Sequence, residues 1–237
     1  ALLRNLSVKT LSLVGCDFDE LFYEGIRNVI LVNTTLEALT LRAEYGEYVG
    51  RWLRPFFIVE DDGRWLRPLS IAMQVNKSLK SLDVDTFHLT NESVCGALRD
   101  ALANNSVLES LTLHSPESLD DKSVISWRKT LPFIRDNATL KSLTISLDEC
   151  SGYTYDSHVT TVCLDTVATL DGNTTLECLD IKFGYISPDT YCVSLESLQP
   201  NSILTTLRLS PCLPYGISEQ MKQVVSLLKK IYSLEKF

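Results

Sequence analysis

The apolar positions of this chain follow two alternating rhythms. Short stretches place Leu, Val or Ile at every second residue, which puts both side chains on one face of a strand. Between them run stretches with apolar residues three and four apart, the spacing of one helix face. The strand-like stretches share a phrase, Asn-x-Ser/Thr-Leu-x-x-Leu-x-Leu. It is clearest from Asn33 to Leu41 and recurs at Asn76 to Val84, Asn137 to Ile145 and Asn173 to Ile181. Looser copies run from Asn5 to Leu13, Asn105 to Leu113 and Asn201 to Leu209, and another starts at Leu234. The first apolar position of each copy is Val8, Leu36, Leu79, Leu108, Leu140, Leu176, Leu204 and Leu234, giving steps of 28, 43, 29, 32, 36, 28 and 30 residues. A fixed period of this size is the mark of stacked supersecondary units.

The intervening helical stripes are equally readable. They are Val94, Leu98, Ala101 and Leu102; Val124, Trp127, Leu131 and Ile134; Val159, Val162, Cys163, Val167 and Leu170; and Val224, Leu227, Leu228 and Ile231. Asn91, Asp121 and Ser218 stand where N-caps are expected. The recurrent Asn before each strand suits the turn that ends a helix. One strand-helix unit cannot bury its own apolar face. Stacking the units yields an α/β fold with a parallel sheet on the inside and helices outside. About seven units in one domain over residues 1–237 are expected.

These motifs resemble the leucine-rich repeats of the ribonuclease-inhibitor type, as also found in NOD-like receptors, and the resemblance covers nearly the whole chain. In that family Leu-x-Leu leads, after two intervening residues, to Asn or Cys. Leu11-Ser12-Leu13 leads to Cys16 and Leu207-Arg208-Leu209 to Cys212, whereas Glu44, Phe87, Pro116, Asp148 and Gly184 depart from the pattern. The resemblance implies a leucine-rich-repeat solenoid with a curved sheet. It also implies a non-catalytic module that binds another protein, such as a cytoplasmic innate-immune-type sensor, an inhibitor, or a substrate adaptor of a ubiquitin ligase. The chain starts within a unit and stops within a strand, with no polar capping unit at either end. It therefore reads as part of a longer array, with end-to-end self-association through uncapped units as one consequence.

Two steps are too long. The excess falls near residues 43–65 and 147–157, each after a strand and before the next helix, so both insertions should leave the same edge of the sheet. Their bases would be roughly 15 Å apart, three strand spacings. The first holds Tyr45, Tyr48, Trp52, Phe56, Phe57 and Trp65, and the second Tyr153 and Tyr155. Gly50-Arg51-Trp52-Leu53-Arg54-Pro55 returns as Gly63-Arg64-Trp65-Leu66-Arg67-Pro68, a local duplication offset by 13. Trp, Tyr and Arg dominate many binding interfaces. Trp52, Phe56 and Phe57 also suit a widened core, whereas Tyr45, Tyr48, Tyr153 and Tyr155 read as partner contacts.

Strand alternation also exposes three outward columns. They are Thr10, Ala38, Ser81, Ser110, Ser142, Cys178, Thr206; then Ser12, Thr40, Asp83, Thr112, Thr144, Asp180, Arg208; then Val14, Arg42, Asp85, His114, Ser146, Lys182, Ser210. This face is small, polar and free of aromatics. Its charges, Arg42, Lys182 and Arg208 against Asp83, Asp85 and Asp180, cancel with His114 neutral. They read either as a solvated surface or as a polar contact patch. His114 with Asp83 or Asp85 across the next strand offers too few donors for a convincing metal site. Just before the strands, Lys9, Glu37, Lys80, Glu109, Lys141 and Glu177 alternate in sign, which favours an in-register parallel stack.

Composition narrows the function classes. The net charge of −8 lacks the clustered Lys and Arg of a nucleic-acid footprint. No apolar run approaches a membrane span, so no membrane insertion is expected. Seven cysteines without a Cys-x-x-Cys pair favour a reducing compartment over a disulfide framework or zinc site. Phosphate loops and hydrolase or metalloprotease motifs are missing, and His88, His114 and His158 have no convincing triad partner, so no enzyme activity and no cofactor are expected. Asn-x-Ser/Thr sequons at Asn5, Asn33, Asn76, Asn91, Asn104, Asn137 and Asn173 keep a secreted, N-glycosylated receptor ectodomain as the alternative, although most coincide with the repeat phrase itself.

Overall fold

The computed structural model describes residues 7–14, 20–42, 66–84, 92–114, 121–147, 157–169, 172–183 and 203–211. Among these residues, seven strands form one sheet: β1 (Thr10–Val14), β2 (Ala38–Arg42), β3 (Ser81–Val84), β4 (Ser110–His114), β5 (Ser142–Leu147), β6 (Cys178–Phe183) and β7 (Thr206–Pro211). Their order in the sheet is their order in the chain, and every pairing is parallel. A parallel neighbour needs a crossover. Five helices supply it from β1 to β6: α1 (Glu20–Val32), α2 (Leu66–Val75), α3 (Glu92–Asn104), α4 (Asp121–Asp136) and α5 (Ser157–Thr169). Each helix packs on the next, as each strand pairs with the next. The expected α/β layering with a parallel sheet is thus present.

The register follows the sequence phrase without slippage. Leu11, Leu39, Leu82, Leu111, Leu143, Leu179 and Leu207 lie side by side across the seven strands. From β2 to β6 these leucines are at most 3% exposed. They share one core with the helix stripes: Tyr23, Ile26 and Ile30 of α1, Leu69 and Met73 of α2, Leu98 and Leu102 of α3. Burial of one such side chain contributes about 1.5–3 kcal/mol. Trp127 of α4 is fully buried, and its indole N–H donates to Thr166 Oγ of α5 at 2.8 Å, which satisfies the ring's one polar atom.

The phrase's asparagine does more than end a helix. Asn33, Asn76, Asn105, Asn137 and Asn173 are 4–7% exposed. In each unit the side-chain oxygen accepts the backbone N–H two and three residues ahead, as in Leu36 to Asn33 at 2.7 Å and Leu79 to Asn76 at 2.7 Å. The amide nitrogen reaches back to the unit before. Asn76 donates to Ile30 O at 2.6 Å, Asn105 to Met73 O at 2.6 Å, Asn137 to Leu102 O at 2.8 Å and Asn173 to Arg135 O at 2.8 Å. Orphan carbonyls near one helix's C-terminus are therefore satisfied by the next unit. Hydroxyls two residues on repeat the gesture: Thr35 donates to Val8 O, Ser78 to Asn33 O and Thr175 to Asn137 O.

The alternating charge row sits beside this ladder. Backbone bonds run from unit to unit, each carbonyl accepting two successive N–H groups: Glu37 and Ala38 N to Lys9 O, Lys80 and Ser81 N to Glu37 O, and on to Thr205 and Thr206 N to Glu177 O. Lys9 meets Glu37 at 2.9 Å, Glu37 meets Lys80 at 3.6 Å and Lys141 meets Glu109 at 3.2 Å. Among the described residues, Lys80 with Glu109 and Lys141 with Glu177 form no ion pair. The Lys9 ammonium, by hydrogen bond first and charge second, holds the Glu37 carboxyl below its usual range. Asp121 stands not before α4 but at its first position, where its carboxylate lies 3.3 Å from His158 of α5.

Candidate functional site

With the leucines turned inward, most outward positions along β2 to β6 are half-exposed; Arg42 is exposed and Ser146 is buried. Their registers fall as alternation requires: Ser81, Ser110, Ser142, Cys178 and Thr206 form one row, and Asp83, Thr112, Thr144, Asp180 and Arg208 another. His114, Ser146, Lys182 and Ser210 make a third. The result is a ribbon of hydroxyls punctuated by two groups of charged side chains.

The first group spans β2, β3 and β4. Arg42 Nη2 lies 2.7 Å from Asp83 Oδ2, with Nε at 3.4 Å from Oδ1, so the guanidinium grips the carboxylate through two donors. On the other side His114 Nε2 comes within 3.2 Å of Asp83 Oδ1. That approach is close but misaligned, and the enclosed Nε2 gains no well-formed hydrogen bond from it. Asp83 is drawn both ways. Burial pushes its carboxyl up, but His114 and Arg42 outweigh burial and hold it below the usual aspartate range. These contacts run diagonally between the second and third columns, as long side chains allow on a pleated face.

The second group lies on β6 and β7 and is organised differently. Asp180 is in register with Arg208 and two residues from Lys182, yet these three form no ion pair with one another. Asp180 Oδ1 is enclosed and has no hydrogen-bond partner. Arg208 is exposed and Lys182 half-exposed. One end of the face thus pairs its carboxylate with Arg42 and leaves His114 Nε2 without a well-formed hydrogen bond, whereas at the other end Asp180, Lys182 and Arg208 form no ion pair with one another. An enclosed carboxylate oxygen without a donor is costly.

Of the residues expected at the site, the structure places Arg42, Asp83, His114, Asp180, Lys182 and Arg208 on one sheet face and brings the first three together. Tyr45, Tyr48, Trp52, Asp85, Tyr153 and Tyr155 lie outside the described residues. The strands that precede the two insertions, β2 and β5, end at Arg42 and Leu147 on the same edge of the parallel sheet, three strands apart. A tally of charges by column does not reveal the Arg42–Asp83 clasp. The signal was available, since Arg42 precedes Asp83 by one strand and sits one row ahead of it.

Two cysteines on helices are inert by environment. Burial pushes the Cys95 thiol up to about 11 and the Cys163 thiol up to about 12. Among the described residues, Cys95, Cys163 and Cys178 are in no disulfide, no group of three or more metal-binding side chains gathers, and no helix is long and apolar enough to cross a membrane. The cavity between α2, α3, β3 and β4 is lined by Met73, Leu82, Val84, Leu98 and Leu111, with Ser70 the one polar neighbour. No protein-family model matches the chain, and no curated protein is significantly similar to it.

Proposed function

We propose that the chain is a leucine-rich-repeat solenoid of the ribonuclease-inhibitor type whose sheet face binds another protein without catalysing a reaction. The observation that carries this reading is the in-register face itself. It presents hydroxyl side chains in rows, holds Arg42, Asp83 and His114 in a fixed group, and leaves Asp180, Lys182 and Arg208 unmatched. The last three are the anchor. The partner brings a carboxylate to Lys182 and Arg208 and a donor to Asp180, which is the complementarity that fixes register in protein interfaces. Side chains short of rotamer freedom, such as Ser and Thr, make such a face inexpensive to order on binding.

Two further observations support a non-catalytic, cytoplasmic module. The buried thiols of Cys95 and Cys163 are protonated at neutral pH, which removes them as nucleophiles. The sequons that suggested a secreted receptor are, in four units, part of the buried asparagine ladder. A photo-crosslinking residue placed at Thr112 or Thr144 on the sheet face, and separately at Ala103 or Ala168 on the helix face, tests the siting in an extract of the source organism. The sheet-face positions are expected to cross-link the same discrete protein, and the helix-face positions not to. Cross-links from the helix face alone would move the site to the other side of the molecule.

A further inference from the structure

Protein N-glycosylation joins the side-chain amide nitrogen of Asn-x-Ser/Thr to a sugar. The nitrogen attacks the anomeric carbon of a lipid-diphosphate-linked oligosaccharide and loses one proton. A C–N bond forms, the C–O bond to the diphosphate breaks, and the lipid diphosphate leaves with the electron pair. The product asparagine keeps one amide hydrogen and needs open space for a hydrated oligosaccharide, so occupied sites lie at the surface.

The chain's sequons do not share one environment. Asn33, Asn76, Asn137 and Asn173 are 4%, 6%, 7% and 4% exposed. The amide nitrogens of Asn76, Asn137 and Asn173 face carbonyls of the preceding unit at 2.6, 2.8 and 2.8 Å, where there is no room for a sugar ring. Their oxygens each receive two backbone N–H groups. The sequon's own hydroxyl is also engaged, with Ser78 and Thr175 donating to the unit before. Asn104 differs. In that unit the ladder position is Asn105, which is followed two residues on by Val107 and is no sequon. The sequon is displaced by one residue onto Asn104, which is exposed at the end of α3 and donates only to Asp100 O of its own helix at 2.8 Å.

We propose that the fold sorts these sequons into two kinds: Asn33, Asn76, Asn137 and Asn173 cannot carry an N-glycan in the folded molecule, and Asn104 can. The same motif is a structural clasp in four places and an open acceptor in one. A glycan added to a ladder asparagine during synthesis blocks closure of the turn between two units, so such molecules do not fold. This inference rests on the ladder and is independent of which face binds a partner.

The test is translation of the full chain behind a secretion signal in the presence of endoplasmic-reticulum membranes and reducing buffer. Graded inhibition of donor synthesis makes molecules with every level of occupancy. The products are divided by limited proteolysis into resistant and sensitive fractions, with protein made in a bacterial cytosol as the folded standard. Peptide mass spectrometry then reads each site. Glycan at Asn33, Asn76, Asn137 and Asn173 is expected only in the sensitive fraction, and glycan at Asn104 at similar levels in both. A resistant fraction glycosylated at any of the four ladder positions overturns the proposal. So does an Asn104 glycan found only among sensitive molecules. An Asn104→Gln chain, expected to lose the glycan of the resistant fraction and to stay resistant, assigns that signal to Asn104.

Discussion

At the residue scale, one asparagine per unit ties together three pieces of backbone. Asn76 accepts from Ser78 and Leu79 of its own turn and donates to α1 of the unit before. Replacing it with Ala strands two backbone donors and one carbonyl in the interior, and each such group costs about 1–3 kcal/mol. We expect Asn76→Ala or Asn137→Ala to lower unfolding free energy by about 3 kcal/mol. Urea denaturation measures this directly, and a loss below about 0.5 kcal/mol, the scale of an ordinary surface change, would show the ladder to be incidental. The Asp83 carboxyl gives a second prediction. Its folded value lies below its ordinary one of 3.8, because His114 and Arg42 outweigh burial. The unfolded chain therefore takes up the proton first. The stabilisation is whole above the ordinary value and is lost as pH falls through the folded value. Comparison of wild type with Asp83→Asn by urea midpoint between about pH 5 and pH 2.5 should show the wild-type advantage shrinking toward the acid end. An advantage that grows on acidification would reverse the assigned sign.

At the scale of the element, the helices vary while the strands do not. Helix α4 carries Pro132 in its interior, on the exposed side. Proline cannot donate to the carbonyl four residues back and crowds it, a cost of about 3 kcal/mol in an ideal helix. Pro132→Ala is expected to stabilise the protein by about 1 kcal/mol, since a helix already fitted around proline recovers only part of that cost. A lower thermal midpoint would mean that the ring packs usefully where it is. The turn into β6 departs differently, through Gly172 at φ +92°. No neighbour obstructs a Cβ there, so the penalty of Gly172→Ala is conformational alone, about 1–2 kcal/mol.

Strands and register were legible in the sequence because a two-residue period with Leu-x-Leu leaves a single way to keep the apolar face inward. The stripes on α3, α4 and α5 were legible too, and Leu98, Trp127, Leu131, Val162 and Cys163 are all buried. What was not legible has physical causes. The asparagine reads in the sequence as a turn former, because its second role depends on a carbonyl 32 to 46 residues earlier in the chain. The Arg42–Asp83 contact is diagonal, and columns counted along strands do not reveal side-chain reach. The outward columns were readable by position, whereas the contrast between an end with a paired carboxylate and an end without one required the contacts themselves.

At the scale of the whole molecule, each unit touches chiefly the unit before and the unit after, in both the sheet and the helix layer. Such an arrangement accumulates stability from units and their interfaces. It also leaves one broad face of the sheet without a core to serve, and that is the face proposed above for recognition. The measurement that tests this most directly is the dissociation constant for the protein cross-linked at the sheet face, compared between two single arginine substitutions. Thr144→Arg puts a long cation in the middle of the face, and Ala168→Arg puts the same side chain on the exposed side of α5. A loss of about tenfold or more is expected for Thr144→Arg and little change for Ala168→Arg. Unchanged affinity for Thr144→Arg, with binding lost in Ala168→Arg at equal stability, would contradict it.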